Sequence, residues 1–165
     1  MPERFQVDLS GIVDLLSRHL YSGPQVYLRE MLQNAVDAVT ARREIDAGAD
    51  ATIRISTDID AQGRSVLEIV DSGVGLTAAE AAELLATIGR SSKRDETFGL
   101  GRTQFIGQFG IGLLAAFMVA DSIEVVSRSA RDTAPAIRWI GHADGTFEVI
   151  ELSEREIEVG TTVRL

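Results

Sequence analysis

The order of its periodicities constrains this chain most. Segments with helical spacing come mainly in the first half, and segments with period two fill the last third. Leu9, Ile12, Val13, Leu16 and Leu20 recur at helical spacing, with Asp8 or Ser10 available as a cap. Ser22-Gly23-Pro24 breaks that helix, and a second is predicted over 24–44, with Gly48 on its far side. Strands are predicted at 5–7, at Ile53 to Ile59 and over 65–70. Thr77-Ala78-Ala79-Glu80 has the spacing of a capping box and opens a third helix that Gly89 can close. Residues 90–106 are polar and without clear periodicity, and a helix is predicted over 111–119. Strands over 122–129, 136–142, 146–152 and 161–165 follow, with Asp144-Gly145 as a hairpin turn. Strict alternation of strand and helix would give a doubly wound sheet. This order instead predicts an α+β two-layer sandwich, a mixed and mostly antiparallel sheet with helices on one face. With no repeat or proline-rich linker, residues 1–165 read as one domain.

Composition closes several routes. The absence of cysteine excludes disulfides, thiolate catalysis and cysteine-zinc sites. His19 and His142 lie far apart and read as ordinary structural residues. A net charge of −9 argues against nucleic-acid binding, which needs a basic footprint. No apolar run approaches the roughly 18 residues of a membrane span. The first residues lack the basic-then-apolar order of a signal peptide, so a cytoplasmic location is expected.

Three stretches carry chemistry. On the second helix Leu28, Leu32, Ala35 and Val39 form one stripe; Glu30, Asn34 and Asp37 form the opposite one, with Ala41. Two carboxylates and an amide can orient a hard cation such as magnesium, and one carboxylate can accept a proton from water. Taken alone, the same stripe is the solvated side of an amphipathic helix. Asp71-Ser72-Gly73-Val74-Gly75 directly follows an apolar strand. A carboxylate there can accept a hydrogen bond from an exocyclic amine, or it can satisfy the amides of its own turn. Gly107-Gln108-Phe109-Gly110-Ile111-Gly112 runs into a helix, where unpaired amides make an anion site; a flexible hinge is the other reading. Neither the Rossmann order of glycines nor a glycine-rich loop ending in Lys-Ser or Lys-Thr is present.

Taken in order, these stretches resemble the Bergerat-type ATPases, and within them the N-terminal ATPase domain of the ninety-kilodalton heat-shock chaperones of the bacterial high-temperature protein G type. Tyr27-Leu28-Arg29-Glu30-Met31-Leu32-Gln33-Asn34-Ala35-Val36-Asp37-Ala38 is similar to their first motif, and residues 71–77 to their second. Thr87-Ile88-Gly89-Arg90-Ser91-Ser92 is similar to the start of their lid, residues 106–112 to their third motif, and Gly160-Thr161 to a pair that completes the pocket. Leu76 stands where those chaperones usually have methionine, and Arg90 where they usually have lysine. The resemblance implies a chaperone domain that binds ATP or ADP with magnesium and hydrolyses ATP as its lid closes. It implies Glu30 as general base, Asn34 as magnesium ligand and Asp71 as acceptor of the adenine amine, with Thr161 supporting it through water. Gly75 and Leu76 would line the adenine pocket, with Asp37 near it. Gly107, Gln108, Phe109, Gly110, Ile111 and Gly112 would cradle phosphate, and Ser91, Ser92 and Lys93 would close over it. Client proteins and a homodimer of the longer chaperone are the implied partners, with no nucleic acid and no membrane. These chaperones supply a catalytic arginine from a following domain, so turnover by residues 1–165 alone is expected to be slow. A nucleotide-binding regulatory module without turnover and a sensor-kinase-like domain are the alternatives.

Overall fold

The computed structural model describes residues 25–86, 109–153 and 157–165, with residues 11 and 23 besides. The strand expected at 5–7, the helix expected over 9–20 apart from Gly11, which is helical, and the polar stretch 90–106 lie outside them.

The first described helix, α1, spans Val26–Ile45. It begins without a side-chain cap, on the backbone contact of Val26 N–H with the carbonyl of Gly23 at 3.3 Å. Arg42 and Arg43 in its last turn suit the negative end of the dipole. It stops where Asp46 turns to an extended conformation, its N–H still bonded to the Arg42 carbonyl and its carboxylate accepting from Gly48 N–H at 3.0 Å.

Strands β1 (Ile53–Ile59) and β2 (Ser65–Asp71) form a hairpin. Asp60 closes its turn, its Oδ1 accepting the N–H groups of Gln62 and Arg64, both at 2.9 Å. Helix α2 spans Ala78–Ala86 and helix α3 spans Phe109–Ala116. Strands β3 (Ser122–Arg128), β4 (Ala136–His142), β5 (Phe147–Leu152) and β6 (Gly160–Arg164) complete the chain. The Asp144-Gly145 hairpin forms as expected, with Asp144 Oδ1 accepting the Thr146 N–H at 2.9 Å and its hydroxyl at 2.7 Å.

The six strands run in the order β1-β2-β6-β3-β4-β5, and every described pairing is antiparallel. This is the expected α+β sandwich, with the described sheet antiparallel throughout instead of mixed. The last strand enters the middle of the sheet, between the β1–β2 hairpin and the β3–β4–β5 meander. Period-two alternation gives the sheet two different faces. Ile69, Ile123, Val125, Ile137 and Trp139 turn to the helix side and pack in one cluster with Met31, Ala81, Leu113 and Ala116. Each such aliphatic side chain contributes about 1.5–3 kcal/mol by leaving water. The other face carries a row of ion pairs, with Arg164 bonded to Glu68 at 2.6 Å and Arg138 to Glu124.

Helix α3 begins two residues before the expected start and ends at Ala116 instead of 119. Its glycines do not delay it, because Leu113, Leu114, Ala115 and Ala116 are all buried and tertiary packing outweighs glycine's poor propensity. Beyond Ala116 the N–H groups of Phe117, Met118 and Val119 reach back three residues, each at 3.1 Å, so the chain tightens into turns.

Candidate functional site

Asp71 ends β2 with its side chain turned to the helix layer and 7% exposed. Its Oδ1 accepts the Gly73 N–H at 2.8 Å, so the tight-turn bond anticipated from the sequence does form. Burial pushes the carboxyl up to about 7, against the hydrogen bonds from the Gly73 and Thr161 backbone amides, which lower it. Ser72 turns the opposite way. Its hydroxyl donates to the Asp50 carbonyl at 2.9 Å and accepts the Thr52 N–H at 2.9 Å, fixing the strand end from behind.

The turn after Asp71 is held on two sides. Val74 N–H bonds to the Ala38 carbonyl of α1 at 2.9 Å, and the Val74 carbonyl accepts Ala130 N–H at 2.8 Å. Gly75 has φ +66, and a Cβ there would stand 1.9 Å from the Arg128 carbonyl oxygen, so only glycine fits. Gly160 is confined the same way, with φ +137 and a virtual Cβ 2.1 Å from the Asp71 carbonyl oxygen. Leu76, buried beside Gly75, donates its N–H to Ser127 Oγ at 2.9 Å. The capping box forms: Thr77 N–H bonds to Glu80 Oε2 at 2.9 Å, and Glu80 N–H to Thr77 Oγ1 at 3.2 Å. Glu80 also pairs with Arg131 at 2.5 Å, tying the start of α2 to the loop after β3.

Asp71 faces Thr161 across the β2–β6 ladder, and Thr161 faces Ser127 across the β6–β3 ladder. All three are buried, at 7%, 7% and 0% exposure. This rung of the sheet is polar on its helix side, whereas the next, Ile69, Val163, Val125 and Trp139, is apolar. Ser127 was not anticipated as a site residue. Its signal was a hydroxyl at the inward position that continues Ile123 and Val125 with period two.

On α1 the stripe of Glu30, Asn34 and Asp37 is not a wholly solvated face. Asn34 is 6% exposed and Ala41 8%, because this side of the helix meets the turn after Asp71 through Ala38. The opposite stripe is buried at Ala35 and Val39 and half-buried at Leu28 and Leu32. Glu30 is half-buried near Arg29 at 3.9 Å, and Asp37 accepts from Gln33 Nε2 at 2.9 Å. α1 packs against both β2 and α3.

Phe109, Gly110, Ile111 and Gly112 form that first turn of α3, where backbone N–H groups lack helical partners. Ser91, Ser92, Lys93, Gly107 and Gln108 lie outside the described residues.

The profile of the histidine kinase-, DNA gyrase B-, and HSP90-like ATPases matches residues 21–164. The chain is 37% identical over 169 aligned positions to the mitochondrial heat shock protein 75 kDa of Bos taurus, covering 96% of this chain and 23% of that protein. It is 36% identical to the chaperone protein HtpG of Polaromonas naphthalenivorans, covering 92% of this chain and 26% of the relative. To HtpG of Actinobacillus succinogenes it is 33% identical, covering 97% and 28%. The chain thus spans about a quarter of the length of these relatives. From the match over nearly its whole length, the chain belongs to the histidine kinase-, DNA gyrase B- and HSP90-like ATPase family.

Proposed function

We propose that residues 1–165 form the ATP-binding unit of a chaperone, hydrolysing ATP slowly by themselves. The observation that carries this is the buried Asp71 carboxylate beside Thr161, on a polar rung next to the apolar rung of Ile69, Val163, Val125 and Trp139. Asp71 accepts a hydrogen bond from the exocyclic amine of adenine, in addition to those from the Gly73 and Thr161 backbone amides. Gly75 and Leu76 form one wall of the adenine pocket, and Asp37 lies near it on α1. The first-turn amides of α3, with Gly107 and Gln108 before them, receive phosphate oxygens, helped by the dipole of the helix. Ser91, Ser92 and Lys93 close over the phosphates as a lid.

Magnesium fits Asn34. A nucleotide-bound magnesium takes one or two protein oxygens beside phosphate and water, and the Asn34 amide is a buried hard-oxygen donor one turn from Glu30. Held there, magnesium would supply positive charge against the phosphates. Glu30, half-buried on the same stripe, orients the attacking water and takes its proton. We propose a cytoplasmic location and, for a longer chaperone, client proteins and a homodimeric partner. The names of the relatives, two chaperone proteins HtpG and a heat shock protein 75 kDa, support the chaperone part of this reading.

Calorimetric titration with magnesium-ADP tests it. Saturable binding by the wild type, lost in Asp71→Asn, is expected; absence of wild-type binding refutes it. Labelled ATP then separates turnover, read as released phosphate, from a sensor-kinase reaction, read as labelled protein, and from retention without either.

A further inference from the structure

Beside Asp71 lies a pair of hydroxyls whose protons can be assigned by counting. Ser127 Oγ has three polar neighbours, each at 2.9 Å: the Leu76 N–H, the Gly160 carbonyl and Thr161 Oγ1. A serine hydroxyl carries one proton and two acceptor lone pairs. The Gly160 carbonyl can only accept, so the Ser127 proton is committed to it. The Leu76 amide can only donate, so it occupies one lone pair. The remaining lone pair takes a proton from Thr161. With Ser127 fully buried, no water competes for these bonds.

Thr161 has therefore spent its only proton inside the protein. Its oxygen offers acceptor capacity alone to whatever lies against it, and the ionised carboxylate of its cross-strand neighbour Asp71 is acceptor-only as well. A 6-aminopurine suits that edge: its amine donates to Asp71. A water seated on Thr161 must point one proton at it, and its second proton meets the unprotonated N1 of the same ring. A 6-oxopurine opposes both contacts, with an acceptor oxygen facing Asp71 and an N1–H facing the water.

We infer that Ser127 is a positioning residue that determines base specificity: by holding the Thr161 proton, it makes the pocket edge acceptor-only and sets the preference for 6-aminopurine over 6-oxopurine nucleotides. This rests on the reading of the Asp71 pocket as the adenine site. Ser127 touches no ligand itself.

The test is a calorimetric titration of the 165-residue chain with ADP and with inosine diphosphate, which differ only at the 6-position and N1. In Ser127→Ala the freed Thr161 hydroxyl can donate, and the ADP preference is expected to narrow by about tenfold, the worth of one buried hydrogen bond. Ser127→Thr keeps the hydroxyl and keeps the preference. A merely structural serine would weaken both nucleotides alike, so an unchanged ratio in Ser127→Ala overturns the inference. If that variant does not fold, Thr161→Val is read by the same ratio, and an unchanged value overturns it equally. Wild type that binds ADP with an unmoved ratio in the variants removes this inference alone. Wild type that binds neither nucleotide removes the adenine site with it.

Discussion

Replacing Asp71 by asparagine should stabilise the nucleotide-free protein at neutral pH while abolishing nucleotide binding. The carboxyl titrates at about 7 in the fold against 3.8 in the unfolded chain, because burial disfavours its charge more than two backbone amides favour it. Below pH 4 both states hold the proton and the group contributes nothing. Between pH 4 and 7 the unfolded chain releases the proton while the folded one keeps it, so stability falls as pH rises. Above pH 7 both are ionised and the penalty is complete. At 1.36 kcal/mol per decade, the difference reaches roughly 4 kcal/mol as a ceiling. That is a large share of the 5–15 kcal/mol typical of a domain.

Asparagine preserves the shape and the acceptor for Gly73 N–H but cannot ionise. Urea unfolding of both proteins from pH 4 to 9, without nucleotide, measures the difference. The stability gap should be near zero at pH 4, open in favour of Asp71→Asn up to pH 7, and then stay level. The same linkage governs the ligand. An amine donating to the carboxylate selects the ionised form, so ADP affinity should fall below pH 7, by up to about tenfold per pH unit. A gap independent of pH, or a variant that binds ADP as the wild type does, would refute the argument from burial to function.

Other substitutions probe the framework. Gly75→Ala places a Cβ within 1.9 Å of the Arg128 carbonyl at φ +66 and should cost about 3 kcal/mol or more in urea unfolding; an unmoved midpoint would contradict the close packing of the turn on β3. Thr77→Ala removes half of the capping box that starts α2 and should cost about 1 kcal/mol, read the same way. Glu30→Ala should leave ADP titration unchanged while phosphate release drops by about 100-fold, and undiminished release would exclude Glu30 as the base.

Local patterns made much of the fold legible. Strand β4 was read with its observed bounds, because its residues alternate and a hairpin turn fixes one end. Thr77 and Glu80 announced a helix start by their spacing, and their side chains make the bonds that spacing implies. What local pattern does not carry is which strands pair. Nothing in the residues of β6 says that it inserts between β2 and β3, since that choice is decided by long-range burial. The same gap hid Ser127, which becomes a pocket residue only when β6 lies beside it. On α1 the polar stripe reads as solvated in isolation; Asn34 and Ala41 are buried because a turn some forty residues later packs there.

The polar rung also explains why the register of β6 matters more than its stability. Side chains alternate faces along a strand, so a slip of one residue would send Thr161 to the ion-paired side and bring Thr162 inward. The fold resists that slip at two points. Gly160 sits at φ +137 against the Asp71 carbonyl, a place no other residue fits, and Arg164 reaches Glu68 only in the observed register. Within the rung the three polar groups are not equally satisfied. Ser127 fills its whole bonding capacity within the protein, and Thr161 gives up its proton to it. Asp71 alone is left with a charge that burial opposes and amides only partly offset. A buried carboxyl held rigidly in that state gains more from a ligand's donor than from solvent, and it is the group in this sheet on which nucleotide binding should depend most steeply.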